Sequence, residues 1–92
     1  MPRVYVTSTY GEARYRVCRV NHPGEADLCV LPVSTWGLAY RDAYWFFTNK
    51  QDADLWIFYD TFGASQLRIC FVDSYGMSGW QNPHSLKGRL HN

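Results

Sequence analysis

Cys18, His22 and Asp27 are the residues whose types could support nucleophilic chemistry. A thiolate would attack, a histidine would take its proton, and a carboxylate would orient the imidazole. Cys18, however, lies in an apolar strand-like run, where a thiol behaves as a small hydrophobic side chain, and His22 precedes Pro23 in a turn. The sequence therefore favours structural roles for these residues and predicts that the protein is not an enzyme and has no catalytic residues.

Thiol ligands for zinc could come from the three cysteines, Cys18, Cys29 and Cys70. Their spacing contains no CxxC pair and matches no zinc pattern, so we expect no metal and no cofactor. An odd number of cysteines also argues against a disulfide framework. We therefore predict three reduced, buried thiols, which are typical of a cytoplasmic protein.

No apolar run approaches the ~20 residues of a membrane span, and Met1-Pro2-Arg3 leads straight into a strand-like run without a signal pattern.

Acidic side chains recur beside predicted chain reversals, at Glu12, Glu25, Asp52 and Asp54. Paired carboxylates could hydrolyse glycosides or bind calcium. The corresponding positions in two other parts of the chain hold Leu38 and Ser65, which suits a structural role better. We expect these carboxylates to cap turns by accepting backbone N–H groups.

The strongest candidate binding patch consists of Trp36, Tyr40, Arg41 and Tyr44. Aromatic rings interleaved with arginine are suited to stacking on bases, sugars or a protein partner. The sequence nevertheless favours the simpler interpretation, that these rings close the end of a small core. With Lys+Arg 9 against Asp+Glu 8, the net charge of +1 gives no general attraction to nucleic acid, so nucleic acid is not expected, whereas a protein partner stays open.

A repeat of about thirteen residues positions all of these side chains. Its small-residue element has its third residue at Ala13, Ala26, Ala39, Ala53, Ala64 and Met77. Apolar runs with the same spacing start at Val4, Val17, Val30, Trp45, Ile57 and Ile69. Because one such unit cannot bury its own apolar face, the units must pack on one another.

We therefore predict an all-β fold: six short strands in one compact domain over residues 1–80, followed by a polar, loosely held C-terminal tail over residues 81–92. Pro32 cannot donate to a ladder and is expected at an edge, a bulge or the end of its strand. A single helical turn is expected between Trp36 and Tyr44. The run Leu55–Tyr59 is apolar on both faces, which predicts a strand in the middle of the fold.

The repeat also resembles a known family. A Val-x-Val type strand, a turn and a Glu-Ala-Asp-like element match best at residues 17–27, 49–56 and 71–75. This pattern is similar to the small bacterial and phage proteins of the septoil-knot family, over about residues 3–80. The resemblance implies an all-β chain deeply knotted with seven crossings, and it carries over no activity and no catalytic residues.

Together these observations predict a small non-enzymatic module with a binding or structural role and no membrane partner. Two alternatives stay open. One is a hydrolase-type enzyme that uses a cysteine or a carboxylate, which would require a cleft where a nucleophile and a base meet. The other is a weak nucleic-acid-binding module.

Overall fold

A computed structural model describes residues 2–92 of the chain. In these residues the chain forms seven short strands: β1 (Arg3–Val6), β2 (Tyr15–Arg19), β3 (Leu28–Pro32), β4 (Tyr44–Phe47), β5 (Leu55–Tyr59), β6 (Leu67–Phe71) and β7 (Gly79–Trp80). Each of the six predicted strands is present, and the all-β class is confirmed. The sequence did not indicate β7, because two residues are too few to show an alternating pattern.

Strands β1 to β6 close into a parallel barrel in the order β4-β1-β5-β2-β6-β3, with β3 pairing back onto β4. Strand β7 is antiparallel and pairs with the start of β3. Since all six barrel strands run in one direction, they all begin at one end of the barrel, which we call the amino-end mouth. Closure removes the unpaired edges that a short open sheet would expose.

The path of the chain around the barrel is unusual. Every connection between consecutive barrel strands advances two places, except that from β3 to β4, which advances one. The first three strands therefore occupy alternate places, and the single step shifts β4, β5 and β6 into the gaps between them. Each two-place step also carries the connection across the outside of the strand that it skips.

Strand alternation explains why every barrel strand contributes to the core. The inward positions hold fully buried aliphatic side chains and Trp45, and together they make one cluster. The residues of that cluster on β5 are Leu55 and Ile57, whereas Trp56 and Phe58 point outward and stay partly buried. Connections that cross the barrel surface cover these outward rings; Tyr10, for example, packs edge-on against Phe58. A closed barrel has no central strand, so β5 is apolar on both faces because it is covered on both.

The connections between strands contain four single turns of 3-10 helix in residues 2–92: Tyr10–Glu12, Pro23–Glu25, Trp36–Leu38 and Tyr75–Met77. The first two lie in connections that cross a strand, the third in the one-place step from β3 to β4, and the fourth between β6 and β7. The expected helical turn between Trp36 and Tyr44 is confirmed. Pro32 is the last residue of β3, which is one of the places expected for it.

Four barrel strands begin with the same backbone hydrogen bond. The residue just before the strand donates its N–H to a carbonyl of the neighbouring strand: Arg14 to Trp56, Asp27 to Arg68, Asp54 to Arg3, and Gln66 to Arg16. In three of the four, its side chain accepts the N–H of the same neighbouring residue: Asp27 Oδ2 at 3.0 Å, Asp54 Oδ1 at 2.8 Å and Gln66 Oε1 at 3.1 Å. We call this reciprocal arrangement the two-bond strand start. It gives the Glu-Ala-Asp-like element a structural purpose, since Asp or Gln supplies an acceptor at the point where a ladder ends.

The fourth strand start, before β2, has Arg14, whose guanidinium is a donor only. Here the Trp56 N–H donates instead to Asn92 Oδ1, at 3.0 Å, so a residue far along the chain supplies the missing acceptor. This exception links the barrel to the C-terminal segment, residues 81–92.

The expectation that residues 81–92 form a loosely held tail is wrong. Leu90 is only 2% exposed and belongs to the main core cluster. The Tyr15 hydroxyl donates to the Arg89 carbonyl at 3.1 Å, and the Gly88 N–H donates to Asp42 Oδ2 at 2.7 Å. The segment lies across the amino-end mouth, because each of these partners stands at or just before the start of a barrel strand. One buried leucine in a polar stretch explains why composition alone missed this packing.

No helix in residues 2–92 has the length and hydropathy that crossing a membrane requires.

Candidate functional site

The four residues of the predicted patch divide between two places. Trp36 begins a 3-10 turn and is 57% exposed, and the Arg3 guanidinium carbon lies 4.7 Å from the centre of its ring. This pair borders a cavity of about 410 Å³, which Phe46 and Asp52 also line. The guanidinium covers one face of the indole, so less of the ring is free for a ligand than its position in the loop suggests.

Tyr40, Tyr44 and Arg41 lie together with a residue that the sequence interpretation did not include, Tyr75. The Tyr44 ring packs edge-on against Tyr40 at 5.2 Å between centroids and against Tyr75 at 5.3 Å. Tyr44 is 9% exposed, whereas Tyr40 is 53% and Tyr75 is 56% exposed. Two exposed rings therefore stand on a buried one. We call these three residues the tyrosine cluster; the Arg41 guanidinium lies 5.8 Å from the centre of the Tyr40 ring.

The fold explains why Tyr75 is distinctive. Four connections place an exposed aromatic ring at the same point, the residue before a turn glycine: Tyr10, Trp36, Phe62 and Tyr75. An arginine covers each of the first three: Arg16 on Tyr10, Arg3 on Trp36 and Arg68 on Phe62, at 5.3, 4.7 and 4.6 Å. Tyr75 instead packs against the ring of Tyr44. Its place in the last copy of the repeat could be read from the sequence, but its partner in a distant copy could not.

The structure does not assemble Cys18, His22 and Asp27 as a catalytic triad. The Cys18 thiol lies 3.6 Å from the Arg19 carbonyl oxygen, and His22 is exposed at the start of a 3-10 turn. Asp27 is nearly fully buried and contacts Arg68 and His84 instead: its Oδ2 accepts the Arg68 N–H and lies 3.6 Å from His84 Nε2. The other imidazole nitrogen, Nδ1, accepts the Leu86 N–H at 3.1 Å. Both nitrogens of His84 are therefore engaged in holding the C-terminal segment.

The acidic positions have different roles. Asp54 accepts a backbone N–H as expected, although it does so between strands rather than within a turn. Glu12 bonds side chains, so the expectation of a backbone cap is wrong for this residue. Hydrogen bonds from Lys50 Nζ at 2.7 Å and from Thr7 Oγ1 at 2.8 Å hold the pKa of the Glu12 carboxyl below its usual value.

All three cysteines are free and buried, as predicted. They share the outward face of the neighbouring strands β2, β6 and β3, and Cys29 stands directly opposite Cys70 in the sheet. Ala26, from the connection that crosses β6, packs over this pair. Burial, and to a smaller extent the neighbouring Cys70, raise the pKa of the Cys29 thiol, which favours the unreactive protonated form. Within residues 2–92, no group of three or more His, Cys, Asp or Glu side chains could hold a metal ion.

These features define a class of protein: a closed parallel β-barrel built from short repeats whose connections cross its outer surface. A family model described as the 7(1) septoil knot domain matches residues 1–81. The chain therefore belongs to the septoil knot family, which confirms the resemblance; the knotting of the backbone stays a prediction. The match includes the whole tyrosine cluster and ends at residue 81, so most of the C-terminal segment lies beyond it. The chain matches no curated protein and no solved structure.

Proposed function

We propose that the protein is a non-catalytic binding module whose tyrosine cluster contacts a peptide segment of a protein partner. One observation carries this proposal: Tyr75 is the single aromatic residue among the four equivalent turn positions of residues 2–92 that joins other tyrosines instead of lying beneath an arginine. As a result, the exposed rings of Tyr40 and Tyr75 both pack on the buried ring of Tyr44.

The chemistry of these side chains suits a peptide. Tyrosine has few rotatable bonds and both an apolar ring and a polar hydroxyl, so it offers a large contact area at a low entropy cost. Tyr and Arg are also enriched among the residues that contribute most of the binding energy at protein interfaces. Each exposed ring already packs edge-on against the buried ring of Tyr44, so less side-chain freedom is lost on binding than for an isolated surface ring.

Contacts elsewhere in the chain support the non-catalytic part of the proposal. The residues considered for nucleophilic chemistry have structural contacts: the Asp27 carboxylate belongs to a two-bond strand start, and the buried Cys18 thiol lies against the Arg19 carbonyl oxygen. Nucleic acid is the second candidate, because exposed rings beside Arg41 could stack on bases. The near-neutral net charge favours the peptide.

Selection from a random peptide phage library tests the proposal. We expect the unmodified protein to enrich a family of peptides that the Tyr40→Ala/Tyr75→Ala variant does not bind. A matched control is Tyr10→Ala/Phe62→Ala, which removes two rings of similar exposure, 56% and 54%, from other turns and should leave peptide binding intact. Failure to enrich any peptide, or equal loss in both variants, would contradict the proposal. Binding of oligo(dT) that depends on Tyr40 and Tyr75 would favour nucleic acid instead.

A further inference from the structure

A second candidate site lies at the amino-end mouth, between the C-terminal segment and the starts of β2 and β6. The cavity there has a volume of about 560 Å³, within the range of small-molecule sites. Its lining includes Arg14, Tyr15, Gln66, Ser85, Arg89 and His91. None of these residues belongs to the tyrosine cluster, so this site is independent of the proposed peptide contact.

The lining is rich in hydrogen-bond donors and positive charge. Two guanidinium groups, those of Arg14 and Arg89, border the cavity, and no carboxylate from residues 2–92 lines it. The four ion pairs in that part of the chain use Arg3, Lys50, Arg68 and His84, so neither guanidinium of the cavity is neutralised by an acidic side chain. Gln66 adds an amide: its Oε1 accepts the Arg16 N–H, which leaves its two amide hydrogens as donors.

The two-bond strand start shows that Arg14 is an exception in its own repeat. At equivalent positions Asp27, Asp54 and Gln66 supply a side-chain acceptor for the neighbouring strand. Arg14 cannot, and Asn92 performs that task for it. The guanidinium of Arg14 is therefore not needed for the ladder, and it lies at the cavity beside the ring of Tyr15, 5.1 Å from its centre.

Arg89 is held in place by its backbone. Its carbonyl accepts the Tyr15 hydroxyl at 3.1 Å, its N–H donates to the Leu86 carbonyl at 2.9 Å, and the next residue, Leu90, is buried in the core. Both arginines therefore project from fixed backbone, one from the barrel and one from the C-terminal segment. The two side chains are exposed, and the fixed backbone keeps both guanidinium groups within reach of the same cavity.

We propose that this cavity binds the oxyanion group, phosphate or carboxylate, of a small molecule, with Arg14 and Arg89 as its principal ligands. Guanidinium groups present paired N–H donors that match both kinds of oxyanion. The Gln66 amide provides further donors, and the Tyr15 ring provides an apolar wall for the carbon portion of the ligand.

Isothermal titration of the full chain with inorganic phosphate, phenyl phosphate and succinate tests this inference at low ionic strength. We expect saturable binding of at least one of these ligands, and the comparison distinguishes a phosphate from a carboxylate preference. Arg14→Gln and Arg89→Gln should each raise Kd by about tenfold, since each removes charge-assisted hydrogen bonds. Arg19→Gln, which removes the same charge from an exposed arginine at the opposite end of β2, outside the cavity, should leave Kd unchanged. Near- and far-ultraviolet circular dichroism checks that each variant is folded.

Three outcomes would overturn the inference: no saturation by any of the three ligands at concentrations of about 10 mM, affinity that does not respond to Arg14→Gln or Arg89→Gln, or an equal loss for Arg19→Gln. The last result would indicate only general electrostatic attraction. Should Arg14→Gln fail to fold, Arg14→Lys keeps the charge while removing the paired donors, and it should still weaken binding.

Discussion

The starts of β5 and β2 have the same backbone pattern but satisfy it with different side chains. Before β5, Asp54 donates its N–H to Arg3 and accepts the Arg3 N–H in return. Before β2, Arg14 makes only the first bond, and the second comes from Asn92. The residue before a strand therefore need not supply a side-chain acceptor when another part of the chain provides it. Position 14, where no acceptor is needed, holds an arginine, a donor-only side chain.

Mutation should destabilise the fold most at the strand starts where an aspartate supplies the acceptor. Asp27 makes the most buried of them, so Asp27→Ala should lower the free energy of unfolding by about 3 kcal/mol, because it strips the acceptor from the Arg68 N–H and the partner from His84. Asp27→Asn retains an acceptor and should cost about half as much. Urea unfolding followed by tryptophan fluorescence measures both. A loss below about 1 kcal/mol for Asp27→Ala would show that the two-bond strand start contributes little.

Asp54 is more exposed, so the same change should cost less there. We expect Asp54→Ala to lower the free energy of unfolding by about 1.5 kcal/mol, since it removes the acceptor of the Arg3 N–H and a partly exposed ion pair with the Arg3 guanidinium. Asp52→Ala is the matched control: it removes a carboxylate two residues away, on the exposed surface, and should cost less than about 0.5 kcal/mol. Equal effects in the two variants would mean that position in the repeat does not matter.

The contrast between these strand starts also shows what could be predicted from the sequence. The thirteen-residue spacing predicted six strands, because alternating β-branched runs and turn residues are local signals. The strand order could not be predicted, because the two-place steps around the barrel depend on which strands pair and not on spacing. Asp54 was expected to cap a turn, but the N–H that it accepts belongs to a neighbouring strand. The packing of residues 81–92 was missed because only two leucines, buried Leu90 and half-buried Leu86, attach this polar segment to the core.

For the candidate site, the residue types were predicted better than their grouping. Tyr40, Arg41 and Tyr44 are close in the sequence and contact one another in the fold, whereas Trp36 in the same connection is covered by Arg3. Tyr75 completes the tyrosine cluster from a different copy of the repeat. A local pattern does mark Tyr75 as uncovered. Tyr10 and Phe62 are each followed, six residues later, by the arginine that covers them, whereas the residue six after Tyr75 is a glutamine. The contact of Tyr75 with Tyr44 could not be predicted, because the two residues belong to distant parts of the chain.

The smallest expected effect is that of removing the Asn92 side chain, and it tests whether Asn92 replaces the acceptor that Arg14 lacks. Asn92→Ala removes the acceptor of the Trp56 N–H and should lower the free energy of unfolding by about 1 kcal/mol. Arg14→Asp restores the side chain found at the regular strand starts, so in that background the new carboxylate can accept the Trp56 N–H and the cost of Asn92→Ala should fall to nearly zero. The coupling between the two positions would then be about 1 kcal/mol in a double-mutant cycle measured by urea unfolding. Arg14→Ala is the control, since alanine removes the same guanidinium without supplying an acceptor, and Asn92→Ala should remain costly there. If the cost of Asn92→Ala were the same in all three backgrounds, Asn92 would not be substituting for the missing acceptor, and the C-terminal segment would be held mainly by Leu90 and His84.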